Sequence, residues 1–107
     1  MLLIYEIVLN ISTLFHHSNW GLPEKLDRIL RWIIVTPNMH RVHHSVIVAE
    51  SDSNYSTTLS IWDRMLGTLV QSDQPQIIKL GVKKYLTDSW QNFIKMLETP
   101  FLKGDKK

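Results

Sequence analysis

The first fifteen residues are almost entirely apolar, which is typical of a helix. Met1 to Phe15 contains a single charged side chain, Glu6, and we expect a helix over 1–17 that ends before Gly21 and Pro23. At 1.5 Å per residue the segment is roughly 22 Å long, shorter than the ~30 Å hydrocarbon core of a bilayer. It is therefore either a buried helix or the last part of a membrane-spanning helix whose start is missing.

A second helix is predicted after Pro23, which suits a first helical turn. Its apolar positions fall at helical spacing, at Leu26, Ile29, Leu30 and Ile33. The helix should end before Thr36-Pro37, because the residue that precedes a proline avoids the α conformation. The basic residues lie away from this stripe and Trp32 lies near its boundary, which fits either a helix in a membrane interface or an ordinary surface helix.

The remainder of the chain alternates polar segments with apolar periodicity. A short histidine-rich segment over 38–48 is followed by a polar loop over 50–56 and by a helical pattern over 57–69 that Gly67 ends. After a linker over 72–76, a last amphipathic helix is predicted over 82–97, closed by Pro100, with Leu86, Trp90, Phe93, Ile94 and Leu97 on one side. No segment alternates with a period of two over the length of a strand, so the predicted fold class is all-α.

Composition excludes several functions. The 107 residues allow one small domain or a part of a larger one, and none is cysteine, which excludes a disulfide scaffold, a thiolate metal site and a cysteine nucleophile. The net charge of +2 is too small to indicate nucleic-acid binding through the cations Lys25, Arg28, Arg31 and Arg41. The sequence also lacks a nucleophile elbow, an HExxH motif and a phosphate-binding loop.

All five histidines lie in two short clusters, His16-His17 and His40 with His43-His44. On a helix, residues 40, 43 and 44 share one face because their spacings are three and four. Neutral imidazole is the commonest metal ligand, and an all-nitrogen set suits zinc, iron or copper. We therefore favour metal binding over a purely structural role for these side chains.

Five imidazoles can complete one metal site, but two metal ions need carboxylates or ligands from another segment. The candidate carboxylates each have an ordinary alternative. Glu50 and Asp52 lie in a polar loop and can simply be solvated. Asp63 can cap its own helix, or it can orient a ligating imidazole by a hydrogen bond.

Three ordered motifs carry a resemblance to a known family. HHSN (16–19), TPNMHRVHHS (36–45) and DSNYSTTLSIWDRMLGT (52–68) resemble the C-terminal half of the fatty acid hydroxylase / sterol desaturase superfamily. The close match covers about residues 12–69. The resemblance implies that residues 1–107 are the C-terminal part of such a domain, whose two upstream histidine boxes, HxxxH and a first HxxHH, are absent here.

The resemblance implies a membrane-embedded, non-haem di-iron oxygenase in which O₂ oxidises a lipid C–H bond to a hydroxyl or a double bond. His17, His40, His43 and His44 would bind metal, with His16 as a less certain neighbour. Positioning roles around the ligands would fall to Asn19, Asn54 and Asp63, and zinc would be a possible substitute for iron.

The expected partners are a lipid substrate, the membrane and an electron-donating reductase or carrier, without nucleic acid. The expected location is the endoplasmic reticulum or a bacterial inner membrane, with the histidines on the cytosolic side of a partial transmembrane helix. Without the upstream boxes, these residues alone should be inactive.

Ser56 replaces the family's usual Gly, so a left-handed turn at this position is not assured. The alternative function is a small helical zinc-binding or interaction module without redox chemistry.

Overall fold

The computed structural model describes residues 1–102, which are mostly helical. Six α-helices occur among these residues: α1 (Leu2–His16), α2 (Glu24–Leu30), α3 (Pro37–His43), α4 (Val48–Ser51), α5 (Ile61–Leu66) and α6 (Phe93–Glu98). Short 3₁₀ turns cover Pro75–Ile77, Lys83–Tyr85, Asp88–Trp90 and Thr99–Phe101. The only extended pairing in this part of the chain consists of two isolated bridges, Ile34 with Leu59 and Ser45 with Leu80. The helical class is thus confirmed.

The first helix agrees with its predicted bounds, and most of its surface is exposed. Only His16 is buried along α1, whereas large apolar side chains such as Leu2, Ile4 and Leu14 are exposed. Within residues 1–102, no helix combines the length and the apolar character that a membrane crossing requires. The helix therefore contributes its last turn, rather than an apolar face, to the interior of this structure.

The second helix is shorter than predicted, and its apolar stripe lies on the surface of this structure. Leu26 and Ile29 are exposed, and the fully buried side chain of α2 is Asp27. The Arg31 guanidinium lies 2.7 Å from the Asp27 carboxylate and neutralises it. Pro23 is the N-cap of this helix instead of a residue of its first turn.

The central helix α3 forms the interior of the fold. Thr36 begins it by accepting a hydrogen bond from the amide of Met39 at 3.3 Å, and Pro37 occupies the first turn. Met39 and Val42 are buried, together with Val35 and Leu22 from the preceding segments. This small apolar interior fixes α3, so that its histidine face points toward the end of α1.

The last predicted helix, over 82–97, is wrong. This segment divides into two 3₁₀ turns and the short helix α6. Asn92 begins α6 because its side chain accepts from the amide of Lys95 at 2.9 Å, and the hydroxyls of Thr87 and Ser89 bond to each other at 2.9 Å. Such local polar contacts compete with a continuous helix.

Three of residues 1–102 have a backbone in the left-handed region, namely Asn54, Gly67 and Gly81. Gly67 ends α5 with φ of 71°, as its position after the apolar pattern predicts. The first two residues of the predicted polar loop over 50–56 belong to the one-turn helix α4. The left-handed residue of this loop is Asn54, with φ of 49°. Ser56 is not left-handed, so the substitution of the family's Gly at that position strains no backbone.

Candidate metal centre

Two helix ends bring the histidine clusters together. His16 and His17 lie at the C-terminal end of α1, while His40 and His43 lie on α3 and His44 caps it. The ring of His40 lies 4.1 Å from that of His16 and 4.5 Å from that of His17, measured between centroids. Segments more than twenty residues apart in sequence thus supply one cluster of imidazoles.

The His40 Nε2 atom lies close to the Nε2 atoms of two other histidines. His40 Nε2 lies 3.2 Å from His17 Nε2 and 2.9 Å from His44 Nε2. Two nitrogens bound to one ion at about 2.0–2.1 Å are roughly 2.9–3.4 Å apart for coordination angles between square and tetrahedral. The His17–His40 and His40–His44 pairs each therefore have the spacing of two ligands that share a cation.

The tautomer of His17 also favours a cation shared with His40. Its Nδ1 lies 3.0 Å from the Thr13 carbonyl, and because a carbonyl only accepts, Nδ1 carries the proton and Nε2 has a free lone pair. One proton on His40 Nε2 can make one well-directed hydrogen bond, so it cannot satisfy both neighbouring nitrogens. A cation among the three Nε2 atoms would accept all their lone pairs.

His16 adds a buried imidazole to the group. Its side chain is 3% exposed and that of His40 is 7% exposed, and ligand atoms of His16, His17 and His40 lie within 4.8 Å of one another. The Nδ1 atoms of His16 and His40 are buried and have no hydrogen-bond partner. A buried nitrogen without a partner is costly, and a metal ion bound at His16 Nδ1 would satisfy that atom, whereas an ion at His40 Nε2 would leave His40 Nδ1 without a partner.

Burial keeps these imidazoles neutral. Desolvation, followed by the charges of neighbouring histidines, lowers the pKa of His40 to about 3. The pKa of His16 is lowered to about 4, first by desolvation and then by His17, although a backbone hydrogen bond with Thr57 opposes the shift. Desolvation also lowers the pKa of His44. The neutral form is the one that binds metal.

His43 lies at the edge of the cluster. Its ring centroid is 5.5 Å from that of His40 and 5.2 Å from that of His44. Its Nδ1 donates to the Ser53 carbonyl at 2.8 Å, which leaves Nε2 unprotonated. The sequence offered no signal for Ser53, because a backbone carbonyl can belong to any residue.

Asn54 and Asp63 hold the loop that carries Ser53. The Asp63 carboxylate accepts from the amides of Tyr55 and Ser56 at 2.8 and 3.1 Å. The Asn54 amide donates to the Met39 carbonyl of α3 at 2.9 Å. Both side chains are buried, and their hydrogen bonds go to backbone groups and to Thr68 rather than to an imidazole. Any influence on the ligands therefore passes through the loop or, for Asn54, through the backbone of α3.

The structure does not bring Glu50 and Asp52 to the imidazoles. The Glu50 carboxylate accepts a hydrogen bond from Ser45, and Asp52 is exposed in its loop. Within residues 1–102, the only group of three or more metal-ligating side chains with convergent atoms consists of histidines. Asn19 accepts from Arg41 at 3.0 Å instead of contacting an imidazole.

Two cavities adjoin the cluster. A cavity of about 150 Å³ is lined by four histidines together with Ser18, Asn19, Arg41 and Leu80. A mostly apolar groove of about 480 Å³ runs between α1 and α5, with Tyr5, Leu9, Trp62 and Leu66 in its walls. Tyr55 and Thr57 also line this groove. The centroid of the Tyr55 ring lies 5.8 Å from that of the His43 ring. The backbone of Thr57 makes a hydrogen bond with the His16 side chain. The inner end of the groove therefore touches the histidine cluster.

Comparison with known proteins agrees with the motifs. The fatty acid hydroxylase family profile matches residues 1–68. Ornithine lipid hydroxylase OlsE of Rhizobium tropici is 35% identical over 75 residues, 70% of this chain and 22% of that protein. Alkylglycerol monooxygenase of Xenopus tropicalis is 58% identical over 41 residues, 38% of this chain and 9% of that protein. The Danio rerio alkylglycerol monooxygenase is 36% identical over 73 residues, 68% of this chain and 16% of that protein.

The chain spans less than a quarter of the length of these relatives. No solved structure matches it significantly. The family profile covers more than half of the chain and includes every histidine, which confirms the resemblance: the chain belongs to the fatty acid hydroxylase family.

Proposed function

We propose that the protein uses O₂ and a non-haem di-iron centre to oxidise a lipid C–H bond, by hydroxylation or desaturation. The observation that carries the proposal is the convergence of ligand atoms of His16, His17 and His40 within 4.8 Å of one another, with His44 Nε2 2.9 Å from His40 Nε2. Relatives named for the hydroxylation of an ornithine lipid and the mono-oxygenation of an alkylglycerol support a lipid substrate.

His17, His40 and His44 would hold one iron ion, with His16 and His43 available to it or to a second ion. Iron, when bound, supplies the one-electron and O₂ chemistry that protein side chains lack. A second ion needs further ligands, which we assign to histidine boxes of a longer protein. Residues 1–107, the C-terminal part of the oxygenase domain in this proposal, would then bind metal without oxidising lipid.

The chain's own residues would prepare the ligands and admit the substrate. The Thr13 and Ser53 carbonyls hold Nδ1 protons on His17 and His43, which leaves both Nε2 atoms free to bind. The apolar groove would hold an alkyl chain, and its contacts with Tyr55 and Thr57 would bring that chain to the cluster.

Hydroxylation of one C–H bond by O₂ consumes two electrons and two protons and releases one water. Acidic and basic side chains exchange protons but do not supply electrons. A reductase or an electron carrier is therefore a partner in this proposal. The exposed apolar surface of α1 fits a lipid environment. We accordingly place the protein in the endoplasmic reticulum membrane or a bacterial inner membrane, with the histidines on the cytosolic side.

Metal analysis and oxygen consumption test this proposal. The tag-free chain, purified in detergent from iron-rich cells, should contain iron, and it should form no hydroxylated or desaturated product from fatty acid with a chemical reductant. When the chain is joined to the upstream half of a family member, NADPH, a reductase and lipid should give O₂ consumption and hydroxylated or desaturated product. Absence of product from the joined, iron-loaded protein across fatty acyl and alkylglycerol substrates would reject the oxygenase.

The three-histidine group also supports a second candidate, a zinc-binding or interaction module without redox chemistry. Three or four nitrogen ligands around a single ion match a zinc site. One equivalent of zinc, no iron and a monodisperse chain in detergent-free buffer would favour this module over the oxygenase.

A further inference from the structure

We propose that Arg41 is a positioning residue that sets the distance between the two histidine clusters, an inference that rests on the proposed metal site. Arg41 follows His40 directly in α3, and its guanidinium is part of a polar contact with two other segments of the chain. Nη1 donates to Asn19 Oδ1 at 3.0 Å, and Nε donates to the Pro75 carbonyl at 3.2 Å. A planar guanidinium presents these donors in a fixed geometry that a lysine cannot reproduce.

The contact with Asn19 connects the two halves of the site. Asn19 lies two residues after His17, just beyond the end of α1. The α1 end and α3 supply His17 and His40, whose Nε2 atoms must stay about 3.2 Å apart to share an ion. The Arg41–Asn19 hydrogen bond links the backbone segments that carry these two ligands, so it limits how far they can separate.

A second residue of α3 repeats this arrangement one turn earlier. The Asn38 amide donates to the Leu22 carbonyl at 3.1 Å, and its Oδ1 accepts from Gln76 Nε2 at 2.8 Å. Asn38 and Arg41 therefore hold the same two segments, the residues after α1 and the turn at Pro75–Ile77. We call the Arg41–Asn19 contact the α3 clamp, and the contacts of Asn38 reinforce it.

The clamp also borders the metal cavity. Arg41 and Asn19 line the cavity of about 150 Å³ that four of the histidines share. Arg41 does not contact an imidazole in its hydrogen bonds, so its effect on metal binding acts through the position of His17. Loss of one hydrogen bond of this kind corresponds to about a threefold to tenfold change in affinity.

Cobalt binding tests the clamp. Co²⁺ alone is titrated into the tag-free 107-residue chain in detergent, and its dissociation constant and visible d–d spectrum are recorded for the wild type and for Arg41→Ala, Arg41→Lys and Asn19→Ala. Arg41→Ala and Asn19→Ala should weaken Co²⁺ binding about threefold to tenfold and alter the spectrum. Arg41→Lys should give an intermediate affinity, because an ammonium group can restore one of the two contacts.

A double variant and a matched control make the result specific. Asn19→Ala added to Arg41→Ala should weaken binding no further, because both act through the same hydrogen bond. Arg28→Ala removes an exposed arginine paired with Glu24 at 3.5 Å and should bind Co²⁺ as the wild type does. If Arg41→Ala lowers the melting temperature, Asn19→Ala decides the question because Asn19 is exposed.

The outcomes separate the clamp from the metal site itself. A wild-type chain that binds no Co²⁺ rejects the proposed metal site, and the clamp with it. A wild type that binds Co²⁺, with Arg41→Ala and Asn19→Ala within twofold of its affinity and identical in spectrum, rejects the clamp and leaves the metal site standing.

Discussion

His40 Nε2 lies between His17 Nε2 and His44 Nε2, at 3.2 and 2.9 Å. These contacts join the end of α1 to the end of α3. Neutral imidazoles cannot satisfy both contacts with one proton, whereas a cation can, which makes His40 the central ligand of the proposed site. The order in which histidine substitutions affect metal binding follows from this position.

Substitution of His40 should weaken metal binding most. We expect His40→Ala to reduce Zn²⁺ or Co²⁺ affinity by more than about 100-fold, because it removes the central ligand, whereas loss of a supporting group usually costs 10–100-fold. His17→Ala and His44→Ala should follow, and His43→Ala, at the edge, should have the smallest effect of these four. Competition titration with a chelating dye measures this order. A His43→Ala chain that binds more weakly than His40→Ala would contradict it.

The metal-free chain should lose stability in mild acid. The pKa values of His16 and His40 are lowered from 6.5 to about 4 and about 3 by burial and mutual repulsion. Between these values and 6.5 the unfolded chain binds more protons than the folded one, so the free energy of unfolding falls as pH falls. Urea denaturation at pH 7.5, 6, 5 and 4.5 should show a continuous decrease below 6.5.

The same experiment with added Zn²⁺ provides the control. A metal ion that binds only the folded chain raises its stability, and protons compete with it for the imidazoles. Zn²⁺ should therefore raise the urea midpoint strongly at pH 7.5 and progressively less toward pH 4.5. A metal-free midpoint that stays constant from pH 7.5 to 4.5 would be inconsistent with buried neutral histidines.

Asp63 should be important for stability although it contacts no histidine. Its carboxylate accepts from the Tyr55 and Ser56 amides and from the Thr68 hydroxyl at 2.6 Å, and it is 1% exposed. Asp63→Asn places an amide donor against at least one of these donors, and we expect a loss of about 2–3 kcal/mol in unfolding free energy. Asp52→Asn, at an exposed carboxylate nearby, should change stability little.

The groove between α1 and α5 should bind an alkyl chain. Trp62 lines it, so a variant that keeps only this tryptophan, with Trp20, Trp32 and Trp90 replaced by Phe, reports its occupancy by fluorescence. Brominated fatty acids should quench Trp62 with saturation, and unbrominated fatty acid should reverse the quenching. A matched chain that keeps only Trp20, which is outside the groove residues, should show no saturable quenching. Equal quenching of both variants would indicate nonspecific partition into detergent.

The structure departs from the predicted bounds of two helices, over 24–36 and over 82–97, and the physical reason differs between them. Periodicity predicts which residues share a face, but it does not say whether that face meets another element. Leu26 and Ile29 share a face and are exposed, while Asp27 is buried beside Arg31. Over 82–97, apolar spacing favoured a helix, whereas the Asn92 cap and the Thr87–Ser89 contact divide the segment. Hydrogen bonds of single polar side chains outweighed the pattern in that segment.

The amino-acid sequence by itself determined the family, the helical class and the grouping of the histidines into two clusters, because these depend on residue type and local spacing. His40, His43 and His44 share a face through the geometry of one helix, whatever the rest of the chain does. Only the tertiary structure decided that His16 and His17 meet them, that His43 lies at the edge beside the Ser53 carbonyl, and that Arg41 contacts Asn19 and Pro75. Those relationships join segments from ten to more than thirty residues apart, and packing rather than local spacing sets such distances.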